Sequence, residues 1–98
     1  MLLERNVFRV KFGKAKEVKA LYKEMLKLES GDGMENVRAL TDLTGPAYTF
    51  VIEMTHKSLA DFENNLQKVF TSKEWQELYQ KMVPFFESGY REFFTIVD

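Results

Sequence analysis

His56 is the single histidine of the chain, and it stands where a strand-like run gives way to a helix-like one. An imidazole there can act as base, acid or ligand. Proton transfer needs a group to orient the ring, and no spacing in the sequence assigns a carboxylate to His56. Its expected place is a solvent-exposed loop, with catalysis as the alternative. Glu53, His56, Asp61 and Glu63 carry ligand atoms but at no metal-site spacing, so no metal is expected. Trp75 and Tyr79 fall one turn apart on one helical stretch, Asn65 lies on the stretch before it, and Tyr22 and Tyr48 belong to other apolar faces. These five can line a small-molecule pocket with a few polar handles. The plainer alternative is that bulky rings fill a small core and turn their polar tips outward.

The element that must hold these groups together is the run Tyr48-Thr49-Phe50-Val51-Ile52-Glu53-Met54. Tyr48, Phe50, Ile52 and Met54 recur with period two and share one face of a strand. The other face carries Thr49, Val51, Glu53 and Thr55, too apolar for an open solvent face. Helices should cover the Phe50 side and a second copy of the chain the Val51 side.

Around this centre, Asn6 to Phe12 reads as a strand with Phe8, Val10 and Phe12 on one face, ended by Gly13. A helix follows with Val18, Leu21, Tyr22, Met25 and Leu28 on its apolar side. Its lysines Lys16, Lys19, Lys23 and Lys27 form a solvated stripe. The run Glu29-Ser30-Gly31-Asp32-Gly33 is a turn with Gly31 as C-cap; it lacks the Lys-Ser/Thr of a phosphate loop. Val37 to Thr44 is a polar, edge-like strand, joined by Gly45-Pro46 to the central one. Ser58 and Ser72 are placed to cap two further helices, and Pro84 ends the second. Gly89 resets the chain before a last strand in which Phe94 and Ile96 oppose Phe93 and Val97.

The predicted elements are strands over 5–12, 36–44, 48–55 and 90–97, and helices over 14–29, 58–70 and 72–83. This βαββαβ order gives an α+β, ferredoxin-like fold: a four-stranded antiparallel sheet with helices on one face, strands 1 and 3 central. On the uncovered face Glu53 is expected to pair with Arg9 or Lys11, at ~0.2–1 kcal/mol.

At 98 residues and 45% hydrophobic, the chain is read as one domain over 1–98 with an ample core. A net charge of −1 gives no field that draws in nucleic acid. The absence of cysteine excludes thiol chemistry and disulfides and makes the cytoplasm the default location. The start meets charge at once, unlike a secretory signal, and no apolar run spans a bilayer. The RNA-recognition motif shares this element order, and Phe8, Tyr48 and Phe50 fall where stacking aromatics would. Pro46, Ala47 and Glu53 break its signature, however. Turning Phe8 and Phe50 outward would bury Arg9, Lys11 and Glu53 under the helices, a large desolvation cost.

At residue level, Val7-Phe8-Arg9-Val10-Lys11-Phe12-Gly13-Lys14 resembles the opening strand of NIPSNAP-like dimeric α/β-barrel domains. Ser72-Lys73-Glu74-Trp75-Gln76-Glu77-Leu78 is similar to that group's "-EWQ-" segment. The resemblance implies a homodimer formed sheet to sheet. Its wider superfamily includes antibiotic-biosynthesis-type monooxygenases and haem-degrading relatives, which hold substrate between sheet and helices; Trp75 then corresponds to a cavity tryptophan, while companion Asn and His are not found at matching positions. The expected function is a non-catalytic dimeric module that binds a small apolar ligand or a partner protein, with no cofactor. The alternative is a cofactor-free monooxygenase in which Trp75, Tyr79 and His56 or Asn65 orient an aromatic substrate and handle a proton.

Overall fold

The computed structural model describes residues 1–28 and 35–97. Along the chain run β1 (Leu2–Val10), α1 (Ala15–Leu28), β2 (Glu35–Thr41), β3 (Thr49–His56), α2 (Leu59–Thr71), α3 (Lys73–Met82), a 3₁₀ turn (Val83–Phe85) and β4 (Phe86–Thr95). The four strands form one antiparallel sheet in the order β2-β3-β1-β4. The fold is ferredoxin-like, with β1 and β3 central as the two apolar rows require. The turn expected over 29–33, Gly31 included, lies outside the described residues.

Both serine caps form: Ser58 Oγ accepts from the Asp61 amide at 3.2 Å and Ser72 Oγ from the Trp75 amide at 3.4 Å. Each satisfies a donor that a helix start would leave without a partner.

Strand limits differ from the sequence pattern in all four strands. β1 begins at Leu2, because Leu2 already faces His56 on one side and Thr95 on the other. It stops at Val10: the Lys11 amide donates to Phe85, Gly13 takes φ +80, and Phe12 swings out against Tyr48, their ring centroids 4.9 Å apart. β2 stops at Thr41, since Asp42 closes the connection to β3 by accepting from the Thr49 amide at 3.0 Å. Tyr48 adopts φ +59 and so precedes β3 instead of opening it. Gly89 does not reset the chain. It lies inside β4 opposite Phe8, where a Cβ would come within 2.7 Å of the Phe8 ring. That space lets Phe8 lean over β4 and stack on Phe86, centroids 4.6 Å apart and planes at 14°.

Val10, Val18, Met25, Phe50, Ile52, Met54, Leu78 and Met82 form the buried core between the sheet, α1 and α3. Phe8 and Phe50 therefore face the helices, opposite to an RNA-recognition surface. No residue of α2 joins this cluster; Asn65 is its one buried residue, and Leu59 and Phe70 are exposed. On the outer face Glu53 pairs with Arg38 at 2.7 Å and Arg5 at 3.7 Å. Arg9 and Lys11 are not its partners, because the register sets Arg5 opposite Glu53 and Arg9 opposite Thr49, and Lys11 has left the strand. Val7 and Val51 are buried within the single chain. Exposed apolar groups on this face are Leu40, Tyr90 and Phe94.

Candidate functional site

Successive residues of a strand alternate faces, so Glu4, Asn6, Phe8 and Val10 of β1 point toward the helices, with Ile52, Met54 and His56 of β3 beside them. The α2 helix stands over the His56 end of this surface. Between them lies a cavity of about 550 Å³, the size of a small-molecule site. Its apolar wall is built from Phe8, Ile52, Leu66, Trp75, Leu78 and Phe86. Polar groups gather where β1, β3 and β4 meet.

There His56 is buried, at 3% exposure. The solvent-exposed loop expected for it is wrong, because β3 extends through His56 and pairs it with Leu2. An even position on this strand points into the layer between sheet and helices. Its Nε2 lies 2.7 Å from Oε1 of Glu4, itself 4% exposed. A carboxylate only accepts, so the proton of this bond sits on Nε2. The second carboxylate oxygen accepts from Asn6 Nδ2 at 2.8 Å and lies 3.3 Å from Arg91 Nε. Arg91 Nε also donates to Asn6 Oδ1 at 2.9 Å. Glu4 thus has two hydrogen-bond donors, Asn6 Nδ2 and His56 Nε2, and the Arg91 cation beside it, which is what a buried carboxylate requires. His56 Nδ1, by contrast, is enclosed and has no hydrogen-bond partner. Phe62 of α2 meets the imidazole edge-on, centroids 5.4 Å apart, and the Arg91 guanidinium lies 5.3 Å from the same ring. An unpaired buried ring nitrogen costs stability, and a catalytic role is one of the reasons a protein keeps one.

Of the five expected ligand-binding residues, three line the cavity: Asn65, Trp75 and Tyr79. Asn65 is about nine-tenths buried, and no described hydrogen bond holds its amide. Tyr79, 68% exposed, stands at the mouth. Tyr22 and Tyr48 lie elsewhere. Tyr22 packs edge-on to Phe50 at 5.8 Å within the core, and Tyr48 is turned toward Phe12 by its left-handed backbone. Glu53 projects from the face opposite His56, so the two cannot share a ligand. Among the described residues, no group of three or more His, Asp or Glu is placed to hold a metal, and no helix is long and apolar enough to cross a membrane.

Glu4, Asn6 and Arg91 were not expected. Their signal was present: Glu4 and Asn6 continue the even-numbered row of Phe8 and Val10, once β1 is extended to its true start.

No protein-family model matches the chain, nor does any curated protein. Solved structures do. A NIPSNAP family protein from Agrobacterium tumefaciens superposes with a TM-score of 0.91 at 18% identity, over 99% of this chain and 93% of that one. An uncharacterized NIPSNAP domain protein from Burkholderia xenovorans gives 0.88 at 18%, over 99% and 95%. An antibiotic biosynthesis monooxygenase gives 0.78 at 15%, over all of both chains. The chain has the fold of these two groups, as the strand 1 and "-EWQ-" resemblance implies.

Proposed function

We propose that this chain is a small-molecule enzyme of acid–base type, in which His56, oriented by Glu4, takes a proton from a largely apolar aromatic substrate held between sheet and helices. The supporting observation is the buried Glu4–His56 pair at the polar end of an otherwise apolar cavity. A carboxylate on one ring nitrogen fixes the tautomer and stabilises the imidazolium formed when the other nitrogen is protonated. That other nitrogen is Nδ1, which no protein group occupies. Asn65 and Trp75 orient the substrate.

Loss of a proton from a phenol or quinol leaves an electron-rich anion that can reduce dioxygen without a cofactor. The monooxygenase among the structural neighbours makes this the first reaction to test. A phenol with a free para position and O₂ give a quinone and H₂O: one oxygen atom enters at the para carbon, the phenolic and para hydrogens leave in water, and the substrate supplies all four electrons. The proposed setting is a cytoplasmic homodimer, supported by the lack of cysteine and by the exposed Leu40, Tyr90 and Phe94.

A second reading, binding of a small apolar molecule or partner protein without chemistry, is favoured by the enclosure of Nδ1. A substrate reaches that atom only if the side chains around it give way. The test is oxygen uptake with a panel of quinols and polyphenols, alongside the red shift of bound phenols on ionisation. Wild type is expected to ionise phenols and take up oxygen; His56→Ala should lose about 10²–10⁴-fold, and Trp75→Phe should mainly weaken binding. Wild-type ligand binding without ionisation or uptake would decide for the second reading.

A further inference from the structure

The charges around the cavity are unevenly placed. Among the described residues its charged lining groups are Glu4, Glu87 and Arg91, with His56 and Tyr79 the other titratable side chains. Arg91 is, among the described residues, the only arginine or lysine in the lining. Its side chain is 44% exposed, whereas that of His56 is 1% exposed, so the guanidinium marks the solvent end of the polar cluster and the imidazole its inner end. The Arg91 contacts to Asn6 Oδ1 and Glu4 Oε2 are both made through Nε. The Nη1–Nη2 edge of the guanidinium is therefore left for a second oxyanion, the geometry in which arginine binds carboxylates in bidentate fashion. Phe62 beneath the guanidinium and Asn6 beside it hold the fork in place.

We infer that the ligand is an aromatic or otherwise apolar acid, its carboxylate held by Arg91 at the mouth and its apolar body inserted toward Trp75 and Ile52. This names the substrate class of the site proposed above and rests on that cavity being a ligand site, though not on its being catalytic. The arrangement follows desolvation. A carboxylate is costly to bury, and it stays half in water beside Arg91 while the ring system leaves water. Glu4 does not oppose it, because its own charge is met by His56, Asn6 and Nε of Arg91.

Calorimetric titration of the full chain with 2-naphthoate and its neutral isostere 2-naphthamide tests this. Neither compound has a phenolic proton for His56 to take, so the result does not depend on catalysis. Wild type should bind the acid more tightly by about 10–100-fold, the worth of a charge-assisted hydrogen-bonded contact. Arg91→Gln should bring the acid down to the affinity of the amide, and Arg91→Lys should restore part of the difference. Equal affinity of wild type for the two compounds, binding of neither, or an equal loss of both in Arg91→Gln, would overturn the inference. If the acid preference holds while no phenol is ionised, the substrate class stands and the enzyme proposal falls. If phenols are ionised by a protein indifferent to charge, the reverse is true.

Discussion

Nε2 of His56 lies 2.7 Å from Oε1 of Glu4, yet the two residues are 52 positions apart and do not face each other in the sheet. Leu2 faces His56 and Glu4 faces Met54, so the pair is diagonal across β1 and β3, on the side that α2 covers. Diagonal neighbours on one face are within reach of long side chains. The contact thus depends on the register of the two central strands. A slip of one residue would send both groups to opposite faces.

Glu4→Gln tests this dependence. The substitution keeps the shape but removes the charge that fixes the imidazole and meets Arg91. We expect a stability loss of about 1–3 kcal/mol by urea denaturation, and loss of phenol ionisation comparable to that of His56→Ala. Ionisation at the wild-type level in Glu4→Gln would remove Glu4 from the proposed mechanism.

Gly89→Ala is expected to disturb the cavity from its floor. The added Cβ would meet the Phe8 ring at 2.7 Å and force it off Phe86. Overpacking of this kind costs about 1–3 kcal/mol, readable as a lower urea midpoint. Shortening the ring, in Gly89→Ala with Phe8→Leu, should recover part of that loss relative to the sum of the single variants. Simple additivity would mean that Gly89 is not there to make room for Phe8.

The third prediction is a homodimer through the outer sheet face. Val51 is already buried in the single chain, at 5% exposure. Val51→Asp would therefore unfold the subunit as readily as it would split a pair. Phe94 and Tyr90, exposed at 46% and 61%, report on association instead. Light scattering of wild type should give twice the 11.5 kDa chain mass, and Phe94→Asp should shift the population toward the single chain with the subunit still folded. A species of 11.5 kDa alone across the micromolar range would exclude the dimer.

Pattern carried the architecture well because period two and period 3.6 are local properties. The central row Phe50, Ile52, Met54, the apolar side of α1, and the caps at Ser58 and Ser72 all follow from residues a few positions apart. The site was harder to read because its parts meet only through register. Nothing near His56 in sequence reveals that Glu4 sits diagonal to it, or that Arg91 of β4 reaches the same carboxylate. Strand ends were a second difficulty. Phe12 and Tyr48 continue their alternating rows on paper, but backbone turns at Gly13 and Tyr48 remove them from the sheet. Tyr48 was lost to the pocket for that reason, and the true start of β1 at Leu2 hid Glu4.

The position of α2 has a thermodynamic consequence. Its inward side chains Phe62, Leu66 and Val69 line the cavity, and the hydrophobic core is complete without them. A helix with so little buried contact sits at the low end of local stability, and its amides should exchange with solvent ahead of those in β1 and β3. A ligand in the cavity would give α2 the apolar neighbours that the sheet does not. Occupancy and folding are then linked: at a free concentration one hundred times the dissociation constant, the folded state gains about 2.7 kcal/mol. The amides of α2 would register that gain as slowed exchange, so a library of compounds can be screened by deuterium uptake before any reaction is known.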